Sequence, residues 1–240
     1  TIFYSGYCDS LTYAIIFFMW WWSRRSVLFW TLFVIGVFNR ESIVFLLPWF
    51  LYLRFSDVRP LGRWVRIDAI GLAVSAVVVL SVRQWMAGQF NIEYDSSYYW
   101  LPLLQDPLHW FKRSWGESIL GWFSVFKLLW IIPVYSFALY YRHRDRREMT
   151  AALLLFFGVA AQLLIAFDSS RLMTMAFMLA PIALLHLLRE RPDWVAKWSF
   201  RLLLWNLLIP QVYTAAHYVE FMHSIPVNLL LMAFCGKNSW

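Results

Sequence analysis

The sequence predicts an all-α protein, a polytopic transmembrane helical chain with about eight or nine membrane segments, and three observations carry that expectation. The chain is 61% hydrophobic and only 15% charged, with 16 Trp, 21 Phe and 12 Tyr. Its apolar runs recur at lengths suited to a hydrocarbon core of about 30 Å. Its basic residues gather in short clusters between those runs, the pattern that orients membrane helices.

Four clusters hold 14 of the 21 Lys and Arg residues: Ser23-Arg24-Arg25-Ser26, Arg54 to Arg66, Arg142 to Arg147, and Arg189 to Arg201. The excess of positive charge on cytoplasmic loops places all four inside, where they orient the chain and meet anionic lipid. The connections Gln89 to Glu117 and Ala216 to Ser224 carry more acids than bases and face outward. A first span, Leu11 to Trp22, then runs inward from Asp9. The apolar stretch Val27 to Leu53 must leave from Arg25 and return to Arg54 on the same side. As one helix it would measure about 40 Å, too long for a plain span and too short for two. Two half-helices meeting at Asn39-Arg40-Glu41 satisfy both constraints, with Pro48 tolerated inside the second half. Further spans come at Ile67 to Trp85, Ser118 to Tyr140, Ala151 to Phe167, Leu172 to Leu188 and Leu202 to Val212, with a partial return at Ile225 to Phe234. Residues 1–240 read as a single transmembrane domain. No signal-peptide pattern precedes the first span, so the chain reads as the C-terminal portion of a longer one.

Composition also excludes. A net charge of +7 suits nucleic acid in principle, but the cations are not gathered on one face with stacking aromatics, so no nucleic-acid partner is expected. Cys8 and Cys235 have neither CxxC nor zinc-ligand spacing and fall at opposite faces of the membrane, which rules out a disulfide between them. No phosphate loop, HExxH, GxSxG or dinucleotide fingerprint is present, which leaves ATP hydrolysis, zinc proteolysis and hydride transfer without support. His217, Glu220 and His223 have a spacing compatible with metal, but they sit in a loop at the interface and are not taken as a metal site.

Charges inside the apolar runs are the feature most informative about function. At the bilayer centre each costs at least about 2.5 to 3.5 kcal/mol, so Arg40 and Glu41 must face protein or water rather than lipid. The topology gathers the unusual charges at the outer half: Asp9 at the start of the first span, Arg40 and Glu41 at the break, and Asp168 and Arg171 in the turn Asp168-Ser169-Ser170-Arg171. Arg83, Glu93, Asp95, Lys112, Arg113, Glu117 and Lys127 lie in or beside the long outer loop. A cavity lined by both signs can hold an anionic headgroup on its arginines and activate a hydroxyl with a carboxylate. Judged alone, Arg40 with Glu41 and Asp168 with Arg171 serve equally as structural ion pairs, and Asp9 as a helix N-cap.

Three segments together resemble the polytopic GT-C-type glycosyltransferases of bacteria: Gly6-Tyr7-Cys8-Asp9 opening a span, the broken run Asn39-Arg40-Glu41-Ser42 continuing through Pro48, and Asp168-Ser169-Ser170-Arg171 before another span. The resemblance implies an outward-facing cavity, a polyprenyl-phosphate sugar as donor, an acceptor outside the cytoplasm, and residence among the lipids of the bacterial cytoplasmic (inner) membrane. It implies Asp9 and Glu41 as the catalytic carboxylates, and Arg40 and Arg171 as ligands of the donor phosphate, with Glu41 and Asp168 orienting those arginines. A divalent metal is compatible with this chemistry, and neither a cofactor nor a protein partner is specified. One departure stands out, since the family places its key acid in the first outer loop, upstream of Thr1. A lipid or solute transporter is the alternative, because it too uses broken helices and midplane charges. A non-catalytic membrane scaffold is the third.

Overall fold

The structure is a computed structural model, and it describes residues 9–56, 61–90, 105–106, 115–162, 173–209, 211–215 and 218–222. The described residues are mostly helical, and the chain divides into two compact units, Thr1–Leu101 and Pro102–Trp240.

In the first unit, α1 (Asp9–Trp21) turns through Ser23 into α2 (Ser26–Asn39). The chain then breaks at Arg40, whose backbone is extended (φ −157°, ψ 113°). It resumes as a 3-10 helix, Glu41–Leu46, that runs into α3 (Leu47–Ser56). Pro48 falls in the first turn of α3, where a missing amide is easily tolerated. The second arm doubles back on the first: Arg54, near the end of α3, donates to the Ser23 carbonyl and to Ser26 Oγ (2.8 Å) at the start of α2. The pair of half-helices broken at Asn39-Arg40-Glu41 is therefore present. Gly36 permits the close approach, since a Cβ there would lie 2.7 Å from Ile43 Cδ1 and 3.1 Å from Ile15 Cγ2. Phe29 and Phe50 seal the hairpin edge to face at 5.5 Å, with Ile16, Met19, Ile43, Leu46 and Trp49 buried around them.

Helix α4 (Leu61–Phe90) is 30 residues long and begins before the expected Ile67, so part of the basic loop is helical. It packs along α2. Trp30 lies across it so closely that a Cβ on Gly71 would collide with the indole.

The second unit holds α5 (Trp115–Phe126), a 3-10 turn at Lys127–Trp130 and α6 (Ile131–His143). It continues with α7 (Arg146–Ala161), a 3-10 turn at Met175–Met178, α8 (Leu179–Glu190) and α9 (Pro192–Leu208). Helices α6 and α8 run side by side in the same direction, because Tyr140 meets His186 (ring centroids 4.2 Å) and His143 meets Glu190 one turn further on. Ile132, Leu139, Ala183, Leu187, Val195 and Leu202 form the core between α6, α8 and α9.

Several sequence expectations need correction. Only two helices among the described residues, Val65–Gln89 and Ile119–His143, are long and apolar enough to cross a membrane. Eight or nine crossings are thus not supported: the turn after Trp21 and the break at Arg40 leave pieces such as α1, about 20 Å long, and α2, about 21 Å long, too short to cross alone. The segment Arg189 to Arg201 is not simply a loop, since α9 starts at Pro192 with Asp193 in its first turn. Nor does a helix reach Val212. Gln211–Ala215 and Tyr218–Met222 pair as antiparallel strands with Tyr213 opposite Glu220, and the β-branched and aromatic residues of QVYTA and YVEFM suit a strand. The partial return at Ile225 to Phe234, Cys8, Cys235, His217 and His223 lie outside the described residues.

Candidate functional site

Two charged clusters flank the hairpin of the first unit. At its base, Arg54 Nε and Nη2 donate to the two carboxylate oxygens of Asp68 at 2.9 and 2.5 Å. Asp68 also accepts from Trp30 Nε1 at 3.0 Å. Arg54 further donates to the Ser23 carbonyl and Ser26 Oγ, and its guanidinium lies 4.6 Å from the centre of the Phe29 ring. The two side chains are 2% and 1% exposed. This is a staple joining the α1–α2 turn, α2, α3 and α4. Its donors and acceptors are already engaged, so the pair can hold the fold but has little left to offer a ligand.

The tip is different. Asn39 ends α2 and donates through Nδ2 to Thr12 Oγ1 on α1 at 2.6 Å. Arg40, half-buried, caps α2 by donating its amide to the Gly36 carbonyl at 2.7 Å, and its own carbonyl accepts from Ile43 N at 3.2 Å. Glu41 is ion-paired with Arg83 of α4, and the two side chains are 69% and 33% exposed. Asp9 lies one helical turn before Thr12, so its backbone is at this end as well. A half-buried arginine, an exposed carboxylate and a second arginine thus share one end of one unit. That set can bind an anion and still present a carboxylate oxygen to a hydroxyl.

The structure pairs Glu41, the chain neighbour of Arg40, with Arg83, which the sequence places only in or beside the outer loop. Asp168 and Arg171, with the whole turn between them, lie outside the described residues, as do Glu93, Asp95, Lys112 and Arg113. Lys127 is not a loop residue. It interrupts the helix between α5 and α6 with a left-handed backbone (φ 48°), is buried, and donates through Nζ to the carbonyls of Ile209 (2.7 Å) and Asn206 (3.3 Å) at the end of α9. Asn206 returns the contact by accepting from Leu128 N at 3.1 Å. Lys127 thereby caps the negative end of a helix.

Arg54 and Asp68 are the charged residues that sequence reasoning misses. By sequence Arg54 is one more cytoplasmic cation, and Asp68 merges into the start of a span. The available signal is an acid one residue inside an apolar run, downstream of an arginine at the end of another. Among the described residues, no group of three or more His, Cys, Asp or Glu side chains is placed to hold a metal ion. Comparison with known proteins finds no matching family model, no similar curated protein and no similar solved structure.

Proposed function

We propose that this chain is embedded in a membrane and acts as a glycosyltransferase of the GT-C type, moving a sugar from a polyprenyl-phosphate donor to an acceptor on the outer side. In this proposal Arg40 and Arg171 are each a candidate ligand of the donor phosphate. Their charge offsets the negative charge that grows on the departing polyprenyl phosphate. Glu41 or Asp9 takes the proton of the acceptor hydroxyl. Asp168 positions Arg171, and Arg83 holds Glu41.

Membrane embedding is supported by α4, on which Ile70, Val77 and Leu80 are each about 60% exposed or more along an apolar face with few charges. Such a face is stable in hydrocarbon and a liability in water. The observation that carries the catalytic reading is the tip of the broken hairpin. There the Glu41–Arg83 ion pair adjoins the extended backbone of Arg40, an irregular stretch of the kind that membrane proteins keep where a cavity is lined. A bacterial inner-membrane location belongs to the same proposal.

The test is transfer of radiolabelled sugar from polyprenyl-phosphate donors in membranes carrying the protein, comparing wild type with Arg40→Ala and Arg171→Ala. Label reaching an acceptor only in the wild type is the expected outcome. Equal transfer in all three would reduce both arginines to structural roles. Absence of transfer with every donor, together with substrate flux across liposomes, would point to transport instead.

A further inference from the structure

The second unit joins two basic clusters that are far apart in sequence. Because α6 and α8 are parallel, the α6–α7 turn and the α8–α9 turn emerge at the same end, with His143 Nδ1 3.7 Å from the Glu190 carboxylate. Arg142, Arg144, Arg146, Arg147, Arg189 and Arg191 are all exposed there. Four acids, Asp145, Glu148, Glu190 and Asp193, lie among these six arginines, which remain in excess. Asp145 accepts from Glu148 N (3.2 Å) as the N-cap of α7, and Glu190 faces His143.

The side chains further along α9 narrow the choice of partner. Lys197 Nζ and Arg201 Cζ lie 5.7 and 5.5 Å from the centre of the Trp198 ring, and beyond them Phe200, Leu203, Leu204 and Trp205 are exposed. Moving away from the turn, the surface therefore passes from arginines, through a cation-bearing tryptophan, to an apolar face. That order matches the crossing from headgroup to acyl chain, where tryptophan and basic residues concentrate. A nucleic acid would reward the arginines but would leave the apolar face in water. We propose that this end of the second unit is a binding surface for anionic phospholipid headgroups, formed only when the two turns are brought together.

The experiment uses the whole chain purified in neutral detergent and loaded with equal amounts of phosphatidylglycerol and phosphatidylcholine. The readout is the ratio of the two lipids retained per protein after washing. Wild type should be enriched in phosphatidylglycerol. The variant R144Q/R146Q/R189Q/R191Q should lose the enrichment, each arginine contributing roughly fivefold at low ionic strength. The same four positions changed to Lys should keep it. Should the Gln variant fail to fold, wild type alone decides: enrichment should collapse between about 50 and about 500 mM salt, as the screening length shrinks. Retention unaffected by salt, or by the four Gln substitutions in a folded protein, would overturn the proposal. So would loss of enrichment in a folded Lys variant, displacement by inorganic phosphate at millimolar concentration, or tighter capture of a DNA oligonucleotide than of the anionic lipid.

Discussion

The two ends of α4 carry the same chemistry, an arginine against a carboxylate, in opposite settings. Asp68 and Arg83 are separated by about 22 Å along the helix axis. At the first end Arg54 and Asp68 are almost completely buried and tied to Trp30, Ser23 and Ser26. At the second, Glu41 is largely exposed and Arg83 is half-buried. An exposed ion pair contributes roughly 0 to 1 kcal/mol, whereas breaking a buried one by removing a single partner costs about 3 to 5. Burial thus separates a pair that fixes the arrangement of four chain segments from a pair whose atoms are still accessible to a ligand.

That contrast can be broken most directly at Arg54. Replacing it with Met leaves the Asp68 charge buried without its partner and should lower unfolding stability in detergent by about 3 to 5 kcal/mol. Arg54→Met with Asp68→Leu should recover most of the loss, and a single variant as stable as wild type would show that the staple is not what holds this end. Gly71→Ala ranks next. Its methyl group would displace the indole that bonds Asp68, and overpacking of this kind should cost about 1 to 3 kcal/mol by the same unfolding measurement. Lys127→Met tests a buried cation paired with carbonyls instead of a carboxylate. Losing the cap on α9 should cost about 1 to 2 kcal/mol, and an unchanged midpoint would mean that Asn206 alone suffices. Glu41→Gln should have the smallest effect on stability, within about 1 kcal/mol. On the proposed function it should nonetheless depress sugar transfer, and a large drop in stability instead would make the tip a second staple.

The hairpin is legible in the sequence for a mechanical reason. Basic residues at both ends of Val27 to Leu53 and a length unsuited to one or two crossings leave few solutions, and the polar triplet Asn39-Arg40-Glu41 marks the break. The staple is not legible, because positive charge between apolar runs reads as a loop whether or not a carboxylate 14 residues later folds back onto it. The break at Lys127, inside the expected span Ser118 to Tyr140, is not legible either, since a left-handed residue in mid-run has no signature when it is not glycine. The number of spans is overread because short apolar runs such as Leu11 to Trp22 are taken as crossings, although a helix of 13 residues is too short to cross alone. At the tip, Arg40 and Glu41 stand out as charges in an apolar background. Arg83 as partner of Glu41 requires the register of α4 against the hairpin, which only tertiary packing provides.

The spacing of the staple also bears on how the chain is made. Arg54 leaves the ribosome before Asp68, so until α4 emerges, the completed hairpin carries a charge with no carboxylate to receive it. Every partner of the staple, Ser23, Ser26, Trp30, Arg54 and Asp68, is thus present only once the chain has been made through Asp68. On the proposed membrane location, a nascent chain arrested just before Asp68 should remain held by the insertion machinery, while one extended through Arg83 should be released into lipid.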